Sequence, residues 1–291
     1  MTNLSRRAFV GTATASAACL HPYLREWSPL GQTSLAASAA LAPGHAGRLK
    51  LGVASYSMRK FSLDQTLAMA KTLGATTMTF KDVHFPRTDP PEATRALRAK
   101  VEAAGITIMG GGTITLKNDR AAIKKDFEYA KNAGFPLIFV APDPDALDTI
   151  EEMAKTYDIK VAIHNHGPED KLWPRPQDAY AAIKSRDKRL GLCIDIGHTT
   201  RTGTDPVQAC RECRDRLYDM HVKDLAEKTA KESQVEVGRG VIDFPGLFKT
   251  LIAIGYQGQV GLEYEIKEND PLPGMIESMA YMRGVLAAVA T

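Results

Sequence analysis

From residue 49 onward the chain repeats one rhythm eight times, a short apolar run followed by a stretch with helical spacing, and that rhythm governs what it can fold into. The runs are LKLGVAS (49–55), TTMTF (76–80), ITIMGG (106–111), PLIFVAP (136–142), KVAIHNH (160–166), LGLCIDIGH (190–198), LYDMHVKD (217–224) and QVGLEYE (259–265). Between them lie amphipathic stretches such as SLDQTLAMAKTLG (62–74), PEATRALRAKVEAAG (91–105) and DRAAIKKDFEYAKNAG (119–134). The last sets Ala122, Ile123, Phe127 and Ala130 at helical spacing and ends on Gly134, a residue suited to a helix C-terminus. Strands alternating with helices form a parallel sheet, because parallel neighbours need a long crossover. Eight units over 49–291 predict one α/β domain, a single (β/α)8 TIM barrel. The rival, an open doubly wound sheet, wants a glycine-rich phosphate loop after its first strand, and GVASYSMRKFS has none. The glycines at 110–112 follow the third strand and do not open a helix in the pattern such a loop requires.

Nothing in the charge balance points to nucleic acid: the formal net charge is +3 and no lysine–arginine block stands out. The apolar runs are far shorter than a membrane span. Residues 1–42 differ from the rest. MTNLSRRAFVGTATASAACL sets Arg6 and Arg7 before a weakly apolar, Ala- and Thr-rich stretch, and SLAASAALA (34–42) offers small-residue cleavage positions. This reads as an export signal of twin-arginine type followed by a linker, which predicts a periplasmic or extracytoplasmic protein with no membrane attachment after signal removal. That route carries folded proteins, which suits one that takes up a metal before export. Cys19 suggests no lipid anchor, since Ser16 stands where an aliphatic residue is wanted. Beyond the signal, Cys193, Cys210 and Cys213 are too few and odd in number for a disulfide framework. The C-x-x-C of Cys210 and Cys213 falls in a helical stretch begun by Pro206, where buried packing is the plainer reading than zinc or redox chemistry.

In a barrel of this kind, chemistry sits where the strands end at their C-terminal rim. Strand two runs into Lys81, Asp82 and His84; strand five ends in His164, Asn165 and His166. Strand six ends in Asp195 and His198, strand seven in His221, Lys223 and Asp224, and strand eight in Glu263 and Glu265. Five of the seven histidines lie at these ends and the intervening helices carry none, whereas purely structural histidines would scatter over both ends. His164, Asp195, His221 and Glu263 fall on four successive strands. Imidazole and carboxylate together suit Mn, Zn, Co or Fe, and Mg less well.

The pieces CIDIGH (193–198), MHVKD (220–224), VGRGVIDF (237–244) and GYQGQVGLEYE (255–265), in this order, resemble the sugar phosphate isomerase/epimerase family, the xylose-isomerase-like barrels. The similarity spans 49–289 and is nearest the exported twin-arginine branch, which carries IHNHGPED and a TFKDVHFP-like second strand. It implies a divalent metal held at His164, Asp195, His221 and Glu263. Strand five departs from the family pattern, with His164-Asn165-His166 where many relatives carry Glu-Asn-His. A histidine keeps a metal ligand but removes one of the two carboxylate bases of a symmetric epimerisation.

The resulting expectation is an enzyme, a metal-dependent sugar isomerase or epimerase working through an enediolate on a carbohydrate or keto-sugar. Glu263 is expected to be ligand and base, His198 or His166 to return a proton, and Lys223 to stabilise an oxyanion. Lys81, His84, Trp173 and Arg201 are the candidate substrate contacts. The alternative is a metal-dependent lyase or hydratase of oxidised (3-keto) glycosides. An endonuclease-IV-like repair enzyme would want more histidines and a basic groove, and a non-catalytic sugar-binding barrel would leave the base unused. The partner is a small-molecule sugar, and a homo-oligomer is compatible with the sequence.

Overall fold

The computed structural model describes residues 49–290. The expected signal and linker, with Cys19, lie outside the described residues.

Eight parallel strands close into a barrel. In chain order the strands are β1 (Lys50–Ala54), β2 (Thr77–Phe80), β3 (Thr107–Leu116), β4 (Leu137–Pro142), β5 (Lys160–His164), β6 (Leu190–Asp195), β7 (Leu217–Val222), the short β8 (Asp224–Leu225) and β9 (Gln234–Val235), and β10 (Gln259–Leu262). The barrel runs β1-β10-β7-β6-β5-β4-β3-β2, while β8 and β9 pair antiparallel above the rim. All eight apolar runs therefore became barrel strands, with ends trimmed by one to three residues except at the third. There the strand continues through the glycines at 110–112 to Leu116, with a register shift between Gly111 and Ile114. The strand thus runs past the end of the apolar run at Gly111, where a Cβ would overlap the Phe135 ring. The glycines let aromatic rings close on the strand.

Helices fill the crossovers: α1 (Leu63–Thr72), α2 (Pro91–Ala103), α3 (Arg120–Ala133), α4 (Leu147–Tyr157), α5 (Pro176–Ile183), α6 (Ile196–Arg201), α7 (Pro206–Glu212), α8 (Phe244–Ala253) and α9 (Leu272–Val289). Their boundaries follow local chemistry. Ser62 and Gln65 form a reciprocal capping box at α1, Asp119 caps α3, and Gly134 closes α3 in the left-handed conformation (φ 71°). Ile123, Phe127 and Ala130 of α3 are buried against the sheet, as their spacing predicts. Among the described residues no helix is long and apolar enough to cross a membrane. Cys210 and Cys213 are buried, unbridged thiols whose pKa values burial raises, the latter to about 12, so they pack rather than react.

Candidate metal centre and active site

Strand register brings the rim residues together. His164 pairs with Cys193 across β5 and β6, Asp195 pairs with His221 across β6 and β7, and the Glu263 N–H donates to the Val222 carbonyl (2.8 Å) where β10 ends. Alternate strand residues face inward, so all four side chains converge on the barrel axis and all four are buried. His164 Nε2 lies 3.0 Å from His221 Nδ1, His221 Nδ1 lies 3.1 Å from Glu263 Oε1, and His164 Nε2 lies 3.8 Å from Asp195 Oδ2. One donor atom from each of the four falls within 4.8 Å of every other.

Two residues position Asp195. Asn165 sits between the two histidines of the strand-five motif and points the other way. Its Oδ1 accepts the Asp195 N–H (3.0 Å), while its Nδ2 donates to Thr199 Oγ1 (3.1 Å). Asp195 Oδ1 accepts the His198 N–H (2.8 Å) and caps α6. Its second oxygen faces Lys223 Nζ (3.0 Å), while His164 Nδ1 and His221 Nε2 are buried without hydrogen-bond partners. Buried polar atoms normally find partners. Two imidazoles and two carboxylates, each offering a donor atom within 4.8 Å of the others, fit a divalent cation of the Mn, Fe, Co or Zn type.

The charges agree with that fit. Lys223 runs from the end of β7 into the cluster, its Nζ 3.0 Å from Asp195 Oδ2, 2.9 Å from Glu263 Oε2 and hydrogen-bonded to Glu265. The three carboxylates around one ammonium leave an excess of negative charge that a bound cation would offset. Burial works against ionised Glu263, but His221 and Lys223 outweigh it and hold its pKa well below the usual range. At His164 burial dominates, helped by His166 and His221, and lowers the pKa well below that of a free imidazole. A neutral imidazole is the form that binds metal. Gly197 makes room for the lysine, since a Cβ there would collide with Lys223 Cγ.

Above the cluster opens a cavity of about 210 Å³ whose wall includes Tyr56, Lys81, Thr113, His166, His198 and Glu265. His166 Nδ1 is held 3.2 Å from Asp170 Oδ2, and its ring stands 4.5 Å from that of His164. Lys81 Nζ donates to the Thr113 carbonyl (2.9 Å) at the cavity edge. Burial, the dominant influence, lowers the pKa of His198. His166, His198 and Lys81 thus line one cavity at the strand ends.

The structure sets the other candidates elsewhere. His84 is buried outside the cavity wall, its Nδ1 3.0 Å from Ser55 Oγ and its Nε2 2.9 Å from Thr66 Oγ1, so it ties β1 to α1. Trp173 is buried in the core and donates its Nε1–H to the Pro142 carbonyl (2.7 Å), away from the cavity. Arg201 ion-pairs with Glu169 and lines an adjoining cavity of about 230 Å³, which also touches His198, Lys223 and Glu265. Lys223 reaches this second cavity rather than the first. Its ammonium sits in a cage of three rim carboxylates, Asp195, Glu263 and Glu265.

Asp224 has a different task. Its carboxylate accepts N–H groups from Leu225 (2.9 Å), Gly238 (2.9 Å), Gly240 (2.9 Å) and Ile242 (3.2 Å). It thereby fixes the VGRGVIDF loop beside the site. Arg239, in the same loop, turns outward to Glu277.

Residues 67–285 match the family model described as "Xylose isomerase-like TIM barrel". Among curated proteins, the rhizopine catabolism protein MocC of Rhizobium meliloti is 26% identical over 141 residues, 43% of this chain and 42% of its own length. An inosose dehydratase of Lacticaseibacillus casei is 23% identical over 134 residues, covering 41% of this chain and 45% of its own. The 3-dehydro-D-guloside 4-epimerase of Escherichia coli K12 is 31% identical over 107 residues, with coverages of 36% and 38%. The chain thus spans less than half the length of these curated relatives. The solved structure of the IOLI protein with a bound zinc atom superposes with a TM-score of 0.70 at 16% identity, covering 83% of this chain and 99% of that one, and so speaks to the fold.

Proposed function

Because this chain belongs to the xylose isomerase-like TIM barrel family, we propose that it is a divalent-metal-dependent isomerase or epimerase acting on a carbohydrate or keto-sugar through an enediolate. The observation that carries the reading is the buried set of His164, Asp195, His221 and Glu263, three of which, His164, His221 and Glu263, line the 210 Å³ cavity. These four would hold the metal, and a bound cation supplies the Lewis acidity that makes a proton beside a carbonyl easier to remove. Glu263, kept ionised by His221 and Lys223, removes that proton. His198 and His166, facing the same cavity, return one. Lys223 acts as a positioning residue that holds Asp195 and Glu263 in place, a change from the oxyanion role its spacing suggested. Lys81 binds substrate hydroxyls from the opposite wall. Arg6 and Arg7, read as part of a twin-arginine export signal, support an extracytoplasmic substrate, since phosphosugars are largely cytosolic.

A second reading, a lyase or hydratase of 3-keto glycosides, is favoured by two features of the site. His164 stands where a second carboxylate base would be needed for proton exchange on both faces. The adjoining 230 Å³ cavity shares His198 and Glu265 with the first and leaves room for a leaving group beyond one ring.

One experiment separates the two. The metal-loaded protein is incubated in deuterated water with ketoses, aldoses and 3-keto glycosides, followed by NMR. An isomerase or epimerase yields a rearranged or epimeric sugar carrying deuterium at the reacting carbon, and a lyase releases the substituent and leaves an unsaturated ketone. Absence of both products and of exchange across the panel overturns the proposal.

A further inference from the structure

Beneath the four-donor cluster the barrel interior carries another donor that the reaction leaves unused. Cys193 lies two residues before Asp195 on β6, so it faces the same interior one layer deeper. A ring nitrogen from each of His164 and His221 lies within 4.8 Å of its sulfur and of the other, and all three residues are buried. His164 and Cys193 are register partners, which sets the sulfur beside the imidazole. His164 Nδ1 and His221 Nε2 are buried without hydrogen-bond partners. The plain alternative is that Cys193 packs as a small apolar side chain, and it does contact Leu137, Phe139 and Ala162. The thiol also hydrogen-bonds the His221 ring, which sets a sulfur beside two imidazoles in one buried pocket.

We propose that His164, Cys193 and His221 form a second, deeper seat for a thiophilic divalent ion such as zinc or cadmium, sharing both histidines with the outer seat so that an ion takes one or the other. The outer set, with two carboxylates, is the harder of the two and suits manganese, whereas a thiolate selects softer ions. On binding, the S–H bond breaks, its proton passes to solvent and the sulfur–metal bond forms. The bound metal drives that ionisation by stabilising the thiolate it holds. An ion drawn down to Cys193 is drawn away from Asp195 and Glu263. Thiophilic metals should therefore inhibit turnover supported by manganese. The inference does not depend on which sugar reaction the outer site performs.

The test uses the metal-free full chain, titrated anaerobically with cadmium while the ultraviolet sulfur-to-cadmium charge-transfer band is read. The band should grow to one equivalent in the wild type, persist in Glu263→Gln and vanish in Cys193→Ser. The preference for cadmium over manganese should fall in Cys193→Ser by at least as much as losing an outer-shell partner costs a metal site, about 10-fold. Cys193→Ala gives the same reading if the serine variant folds poorly. A wild-type chain that binds cadmium without the band, or a band that survives Cys193→Ser, overturns the proposal. Loss of manganese binding or of sugar turnover alone would count against the outer site and leave this one standing.

Discussion

At Lys223 an ammonium is enclosed by Asp195, Glu263 and Glu265, and its stem is threaded past Gly197. A methyl group at 197 must displace that stem, and with it the partner that holds two proposed metal ligands. Gly197→Ala is therefore expected to weaken manganese binding by about 10- to 100-fold, the range seen when a supporting shell is lost, as read by calorimetric titration of the metal-free protein. Glu263→Gln removes the proposed base and should lower deuterium exchange at the reacting carbon by about 10²- to 10⁴-fold. Exchange at the wild-type rate would move the base to another residue. The four proposed ligands were legible in the sequence because each ends a strand, and strand ends are where a barrel gathers its side chains. The roles of Lys223 and Asn165 were not legible: one depends on where a flexible stem lies, the other on a residue whose side chain opposes its two histidine neighbours.

Between elements, two buried polar residues tie the rim together. The Asp224 carboxylate binds four backbone N–H groups from 225–242 and so holds the β8–β9 hairpin and the following loop. Asp224→Ala leaves those donors unpaired and should cost about 3 kcal/mol in chemical denaturation, with faster proteolysis within 226–240. His84 joins the ends of β1 and α1 as a neutral ring, its pKa lowered from 6.5 chiefly by burial. With the folded value below the unfolded one, its contribution is complete above 6.5 and is lost as pH falls from there toward the folded pKa. Between pH 7 and 5.5 the wild type should lose stability, and His84→Gln should show a flatter dependence in thermal unfolding. The sequence put His84 at the strand-two rim correctly, but exposure to substrate does not follow from rim position. Ser55 and Thr66 close around the ring first. Similarly, the third apolar run ends at Gly111, and only the Phe135 ring packed against that glycine shows why strand three continues.

Across the whole molecule the barrel was the most legible feature, because its evidence is redundant: eight alternations must each fail before the closure is lost. The cavities were least legible, since their volume depends on side chains from distant strands such as Tyr56, Thr113 and Glu265 meeting over one floor. The metal seat spans β5, β6, β7 and the end of β10, so an ion bound only by the folded barrel should stabilise it globally. At a free concentration 100 times the Kd the gain is about 2.7 kcal/mol, and chelation should lower the unfolding temperature accordingly. The most direct measurement is anomalous diffraction from crystals of the chain grown with manganese. The account predicts a single strong peak ligated by His164, Asp195, His221 and Glu263, absent in Asp195→Ala. Four ordered side chains with no peak between them would contradict it.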